Sequence, residues 1–370
     1  MEKMCLLIFS LLFCYSCTNS GEKATTSHPN KENLLSNDAI DNVIYQTTDG
    51  NLLDSNSLDL YSKIGDNDEH LLGNIIAAKL IDSSQVVVLD NSKNRLRVFD
   101  AQTGKLQASL AREGRGPGEL TQPTAMDIVG NNIIISDWLL KLSFYRIQDD
   151  SISYSDEVRI DYSPKRICAI DNFVYVAGIN LKSNYTIYKY DAETFELLGQ
   201  FHETYKSDTP IVSTMLSNNL VSCNLASESI LVVSPYLPYI YSYNTDGKLQ
   251  WVSKINEFYP LSATESIGAT GKPSLNQSYN KNGLTDFYRS FNAQSGSTFN
   301  FLQILRTEMS NGESIASTLF TYKIDSKNGE GRLVSNERFR ILSLTNDYLI
   351  ASGNEEYPTI NLFKNPFNEL

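Results

Sequence analysis

The segment Arg112-Glu-Gly-Arg-Gly-Pro-Gly-Glu119 gathers the most distinctive side chains of the sequence. The charged groups of Arg112, Arg115 and Glu119 are spaced by glycines and a proline, which fix a backbone path closed to most side chains. Such a set can form a polar binding rim. It can equally brace neighbouring parts of a fold through charge-assisted hydrogen bonds, since a turn alone accounts for the glycines. A phosphate loop is not expected, because no Gly-Lys-Ser/Thr follows. Other chemistry is sparse. There is no Gly-x-Ser-x-Gly elbow and no His-Glu-x-x-His, and no Cys-x-x-Cys lies in the body of the chain. Three histidines, His28, His70 and His202, leave little for a His-rich metal site. Asp66-Asn67-Asp68-Glu69 lacks the glycine and spaced glutamate of a calcium loop and reads as a solvated turn.

The elements that hold these residues are strands. From about residue 74 the chain shows period-two apolar alternation, as in Gln85–Asp90, Asn132–Asp137 and Phe173–Ala177, with no convincing amphipathic helix. An aromatic strand ending in Asp or Asn before a polar turn recurs at Phe99-Asp100, Tyr190-Asp191, Tyr243-Asn244 and Ile324-Asp325. If each turn joins the third and fourth strands of a blade, first strands begin near residues 74, 124, 165, 217, 283 and 338. The step is about 53 residues, a four-stranded blade with generous loops. The last unit has room for three strands, and residues 57–64 can supply the fourth. The expected fold is therefore all-β, a six-bladed β-propeller closed by an N-terminal strand. Polar residues 256–282 interrupt the repeat and read as a loop insertion. Tyrosines in Pro235–Tyr243 alternate as strand packing does, although they could stack on sugars.

In a four-stranded meander, the connection between blades and the loop between strands two and three share one face. Arg112, Arg115, Glu119, Asp137, Trp138 and Lys141 therefore form the candidate binding rim, with Trp138 as an aromatic platform. The stretch from Asp90 through Phe99-Asp100, the glycine motif and Pro123 to Asp137 resembles an NHL-type repeat. With the leader described below, it looks like the six-bladed, sometimes TolB-like, propeller lipoproteins of Bacteroides-type bacteria. That resemblance implies the fold and no settled activity.

Residues 1–16 carry a short apolar run, too short to span a bilayer at about 20 residues, and read as a secretory signal. Ser16-Cys17 followed by polar residues resembles a lipobox, making Cys17 the expected lipidation site. An ordinary signal peptide cut nearby is the alternative. Residues 17–41 suit a flexible tether, leaving 42–370 as a single domain. Cys168 and Cys223 could pair in an exported protein, but isolated strand cysteines read rather as buried and unbonded. The formal charge of −12 repels phosphate backbones, so nucleic acid is not an expected partner. The leading expectation is a lipid-anchored recognition module of a Gram-negative cell envelope, binding a protein, peptide or glycan, with no cofactor identified. The alternative is a metal-dependent hydrolase or lactonase at the channel mouth.

Overall fold

A computed structural model describes residues 40–46, 52–65, 71–91, 94–148, 151–180, 182–207, 209–267, 273–278, 282–310, 313–353 and 357–368. The signal, tether residues 17–39 with Cys17 and His28, His70 and the turn at 66–69 lie outside them, whereas Asp41, expected in the tether, exchanges hydrogen bonds with the Val252 backbone of blade 4 and Ile40 packs beside it. Two N-terminal strands, β1 (Asn42–Ile44) and β2 (Leu60–Ile64), precede the first blade. Blade 1 is β3 (Ile75–Leu80), β4 (Gln85–Asp90), β5 (Asn94–Asp100) and β6 (Leu106–Arg112). Blade 2 is β7 (Pro123–Val129), β8 (Asn132–Asp137), β9 (Lys141–Gln148) and β10 (Ser151–Arg159). Blade 3 is β11 (Ser163–Ile170), β12 (Phe173–Ile179), β13 (Tyr185–Asp191) and β14 (Leu197–Glu203). Helix α1 (Pro210–Leu216) leads into blade 4, which is β15 (Leu220–Asn224), β16 (Ser229–Val233), β17 (Tyr239–Asn244) and β18 (Leu249–Ile255). A separate hairpin, β19 (Ser262–Ile267) with β20 (Pro273–Ser278), follows. Blade 5 is β21 (Leu284–Ala293), β22 (Phe299–Ser310), β23 (Glu313–Asp325) and β24 (Gly331–Ser335). Blade 6 is β25 (Arg340–Leu344), β26 (Tyr348–Ser352) and β27 (Ile360–Lys364), completed by β2. Each blade starts within three residues of its expected position, and the N-terminal strand closes the ring.

Why a chain of this size needs no second core follows from the pleat. Successive side chains of a strand face opposite ways, so a strand between two blades is buried on both sides. Val86, Val87, Val88 and Leu89 are all fully buried. Val86 and Val88 pack towards blade 6, whereas Val87 and Leu89 pack towards blade 2. Comparable apolar clusters fill the other blade junctions, so the core is divided among the spaces between blades.

The recurrent aromatic-acidic turns join the third and fourth strands as expected. Asp100 Oδ1 accepts the Thr103 N–H at 2.7 Å, Asp191 Oδ1 that of Thr194 at 2.8 Å, and Asn244 Oδ1 that of Lys248 at 2.9 Å. Each turn ends in the left-handed region, which favours glycine. At Gly104 (φ 67°) a Cβ would also collide with the Lys63 carbonyl of β2 in the preceding blade. Gly329 presses in the same way on Trp251 and Ser253 of blade 4. Phe195 takes the corresponding place in blade 3 at φ 61° and stacks on Phe144 of blade 2, centroids 3.7 Å apart. These turns thus clasp neighbouring blades.

The structure departs from the sequence expectations in four places. The insertion at 256–282 contains the β19–β20 hairpin, where Ser, Thr and Glu alternate too weakly to signal strands. Helix α1 has seven residues, two turns at most, too short to establish a helical period. Cys168 and Cys223 are bonded: β11 and β15 are neighbouring innermost strands, and this brings their Cα atoms to 5.4 Å. Finally, β1 adds to the outer edge of blade 4 in parallel with β18, and Leu53 N–H donates to the Val334 carbonyl of blade 5. The N-terminal segment therefore straps blades 4 and 5 before closing blade 6.

Candidate functional site

The glycine motif forms a closed loop between β6 and β7. Leu120 N–H donates to the Arg112 carbonyl at 3.0 Å and Gly114 N–H to the Leu120 carbonyl at 3.2 Å, while the Leu120 side chain is fully buried. The Glu119 carboxylate folds back into this loop. It accepts the Gly116 N–H at 2.8 Å and the Arg112 Nε at 2.7 Å. These bonds, the Gly116 N–H first, hold its carboxyl below the usual range. A Cβ on Gly114 would strike that carboxylate, which explains the glycine more fully than turn geometry alone. Arg112 thus braces its own loop rather than a neighbouring blade. Arg115 projects outward and is exposed.

The other rim candidates lie below and beside this loop. Asp137, at the end of β8, is fully buried and accepts the Thr121 N–H at 2.7 Å and the Leu139 N–H at 2.9 Å. Asp90, at the end of β4, does the same for Gly73 and Asn74, so both tie down the connection entering their blade. Lys141 is 1% exposed, and its Nζ donates to the Glu119 carbonyl and to Glu157 Oε2, each at 2.9 Å. Trp138 remains 44% exposed, with Lys165 Nζ 3.8 Å from its ring centroid. The structure therefore gathers all six residues at one end of the disc. Arg112, Arg115, Glu119 and Trp138 reach its surface, while Asp137 and Lys141 hold the loop from beneath. The tyrosines of 235–243 are packed: Tyr239, Tyr241 and Tyr243 are each at most 8% exposed.

A cavity of about 560 Å³ runs along the disc axis, walled by the innermost strands of all six blades. All of these strands except β15 carry a register shift, lying between Ile75 and Ala77, Pro123 and Ala125, Pro164 and Arg166, Tyr288 and Ser290, and Ile341 and Ser343. Bulges of this kind re-aim side chains at the ends of barrels and beside binding sites. Three arginines line the cavity near this level: Arg166, Arg289 and Arg340. Arg166 Nη1 donates to the Lys165 carbonyl at 2.8 Å and the Thr124 carbonyl at 3.3 Å. Arg340 reaches the Ile75 and Ile76 carbonyls at 3.4 Å, and its buried Nε has no partner. Arg289 is exposed to the cavity.

Among the described residues no carboxylate pairs with any of the three. Burial first, then the charges of Arg289 and Arg166, bring Arg340 down to about 10. Arg166 is lowered by burial and by Arg289, and neighbouring Lys165 falls to about 8 through burial and Arg166. Further along the axis, Lys79 Nζ meets Asp127 Oδ1 at 2.6 Å, and Asp127 Oδ2 accepts the Ala169 N–H at 3.0 Å. The arginine set was not among the sequence candidates. Its signal was a basic residue on the innermost strands of three different blades, in Lys165-Arg166-Ile167, Tyr288-Arg289-Ser290 and Phe339-Arg340-Ile341.

Comparison with known proteins agrees with this architecture. A family model, DUF5128, described as 6-bladed beta-propeller, matches residues 30–300. A Bacteroides fragilis NCTC 9343 protein designated as exported is similar in structure at TM-score 0.56 and 15% identity, covering 87% of this chain and 98% of its own. A member of the duf4221 family from Bacteroides vulgatus ATCC 8482 follows at TM-score 0.53 and 10% identity, covering 83% and 98%. No curated protein matches the chain. The closed ring of six blades and the match over most of its length place one conclusion beyond the fold itself: the chain belongs to the DUF5128 family of six-bladed β-propellers.

Proposed function

We propose that the chain is an exported, lipid-anchored binding module of the cell envelope that takes its ligand at the connection-bearing end of the propeller axis. The observation that carries this reading is the axial cavity, whose volume of about 560 Å³ is that of a small-ligand site. Arg115 and Trp138, outside the cavity lining but at the same end of the disc, are the proposed outer contacts, on a scaffold made by the NHL-like loop with Asp137 and Lys141. Cys17 is the proposed lipid attachment and residues 18–41 the tether, a reading supported by the lipobox-like leader and by the exported Bacteroides fragilis relative in structure. The ligand is a small molecule or the end of a peptide or glycan narrow enough to enter the axis. The alternative of a metal-dependent hydrolase fits poorly. Three guanidiniums oppose a divalent cation, and the channel carboxylate Asp127 is already engaged by Lys79.

Trp138 can report on this site. The other tryptophan, Trp251, is buried between blades 4 and 5, and Trp251→Phe leaves Trp138 as the sole indole. Panels of oligosaccharides and peptides should yield a ligand that changes Trp138 emission saturably, is weakened by Arg115→Glu and is recovered chemically unchanged. Turnover of that ligand, or binding blind to both Trp138 and Arg115, would sink the reading.

A further inference from the structure

We infer that Arg166, Arg289 and Arg340 form a receptor for a small anion bearing two or more carboxylate or phosphate groups, seated on the propeller axis. This rests on the binding reading above and adds the chemistry of the ligand. The first support is electrostatic. Burial acts on Arg166 and Arg340, while Arg289 is exposed to the cavity beside them; charged side chains drawn out of water are normally paired, because desolvation is otherwise uncompensated. This chain holds 43 acidic residues against 31 basic ones, yet among the described residues none of the acidic groups is set against these three arginines. An acidic protein with an unneutralised cationic centre has room in its charge pattern for an anion from outside.

The second support is the donor inventory. A guanidinium carries five N–H donors in a planar fork matched to carboxylate and phosphate oxygens. Arg166 uses Nη1 on two carbonyls, Arg340 makes two long bonds at 3.4 Å, and Arg340 Nε donates to nothing. Donors therefore remain for a multidentate acceptor. The third support is position. Arg289 is itself the residue at the β21 register shift, Arg166 follows the shift in β11, and Arg340 lies two residues before that in β25. Each arginine thus lies within two residues of a register shift, and the mutual repulsion that helps to lower Arg340 and Arg166 shows that the guanidiniums from blades 3, 5 and 6 share one region of the axis. Lys165, held over Trp138, adds a cation beside the entrance, while the Lys79–Asp127 pair leaves the deeper axis balanced. The charged end of a ligand thus has one favoured level.

The test uses the signal-free chain with citrate as polycarboxylate, pyrophosphate as polyphosphate and maltose as a neutral control, each followed by calorimetry and thermal melting. At least one anion should bind, raise the melting temperature dose-dependently and lose affinity as NaCl rises, whereas maltose should do neither. Arg289→Gln, at an exposed side chain, should weaken that anion at least about tenfold. Arg340→Met should abolish the response while the ligand-free protein melts no lower than wild type, because the change removes a desolvated cation repelled by two others. A response to citrate alone assigns a carboxylate ligand, and one to pyrophosphate alone a phosphate. If neither anion binds, or Arg289→Gln binds as wild type does, the inference fails. A neutral ligand that alters Trp138 emission while both anions are inert overturns it and leaves the binding module standing. Should Arg340→Met fail to fold, Arg289→Gln decides.

Discussion

At the rim of the disc the acidic and amide side chains that close the recurrent turns are answered. Asp100, Asp191 and Asn244 cap their own hairpins, and Glu119 is filled by a backbone N–H and an arginine. At the axis, three arginines have carbonyl oxygens for company, and the cavity's one acidic residue, Asp127, is engaged by Lys79 instead of by any of them. The same fold thus answers the turn-closing side chains where blades meet neighbours and leaves three guanidiniums without a carboxylate where the blades converge. The contrast separates residues that make the ring from residues the ring makes available. Local satisfaction is what a stable repeat requires, and a cluster of like charges without counter-charges around a cavity marks a site where something else is expected to bind.

The largest effect should come from the one covalent tie at the axis. Cys168→Ser opens a bond of sequence separation 55 between blades 3 and 4, and chain-entropy reasoning gives about 4 kcal/mol lost in urea unfolding. Next comes the rim clasp. Gly104→Val, with its Cβ driven against blade 6, should lose about 3 kcal/mol. Gly130→Val provides the control, having a left-handed φ of 54° but open space, and should lose only about 1–2 kcal/mol. Equal losses would show that the clasp contributes nothing beyond backbone strain.

Between rim and axis lies His202, with Nδ1 2.8 Å from the Tyr243 hydroxyl and rings of Tyr205, Tyr241 and Tyr243 around it. Burial pushes its pKa down to about 3. The unfolded chain binds the proton first as pH falls, so stability should decline below about pH 6.5 by about 1.4 kcal/mol per unit until the folded pKa is reached. Urea midpoints at pH 7, 5 and 4 should show this slope, and His202→Asn should flatten it. The smallest effect belongs to Arg112→Ala. Its side chain is 80% exposed, and loss of the solvent-screened ion pair with Glu119 should leave the urea midpoint close to that of wild type. A larger loss would mean that the motif loop, and not only its glycines, holds blades 1 and 2 together.

What the sequence revealed follows the same division. Turn chemistry is local, so Asp100, Asp191, Asn244 and Asp325, three of them with a glycine in the turn, located four hairpins and, by spacing, all six blades. The closing strand was legible because a three-stranded last unit leaves an edge that the apolar residues 57–64 could cover, and Leu60–Ile64 do pair there. The arginine set was not, because Arg166, Arg289 and Arg340 are single residues far apart in the chain that meet only when the ring closes. Asp137 and Lys141 show the opposite difficulty. Their positions at strand ends placed them at the end that bears the blade connections, but spacing does not say that Asp137 would be consumed by backbone N–H groups or that Lys141 would lie 1% exposed.

Closure by β2 also has a consequence in time. Leu60 pairs with Phe363, so the fourth strand of the last blade is made about 300 residues before its partner. A flexible loop of that length costs about 5 kcal/mol of chain entropy to close, and contacts so distant in sequence slow folding. In a chain that emerges N-terminus first, blades 1 to 5 can assemble as an open arc while β2 waits unpaired. The cavity and its three arginines then come into being in the final step, when β27 meets β2, so a partly folded chain has rim and blades but no site.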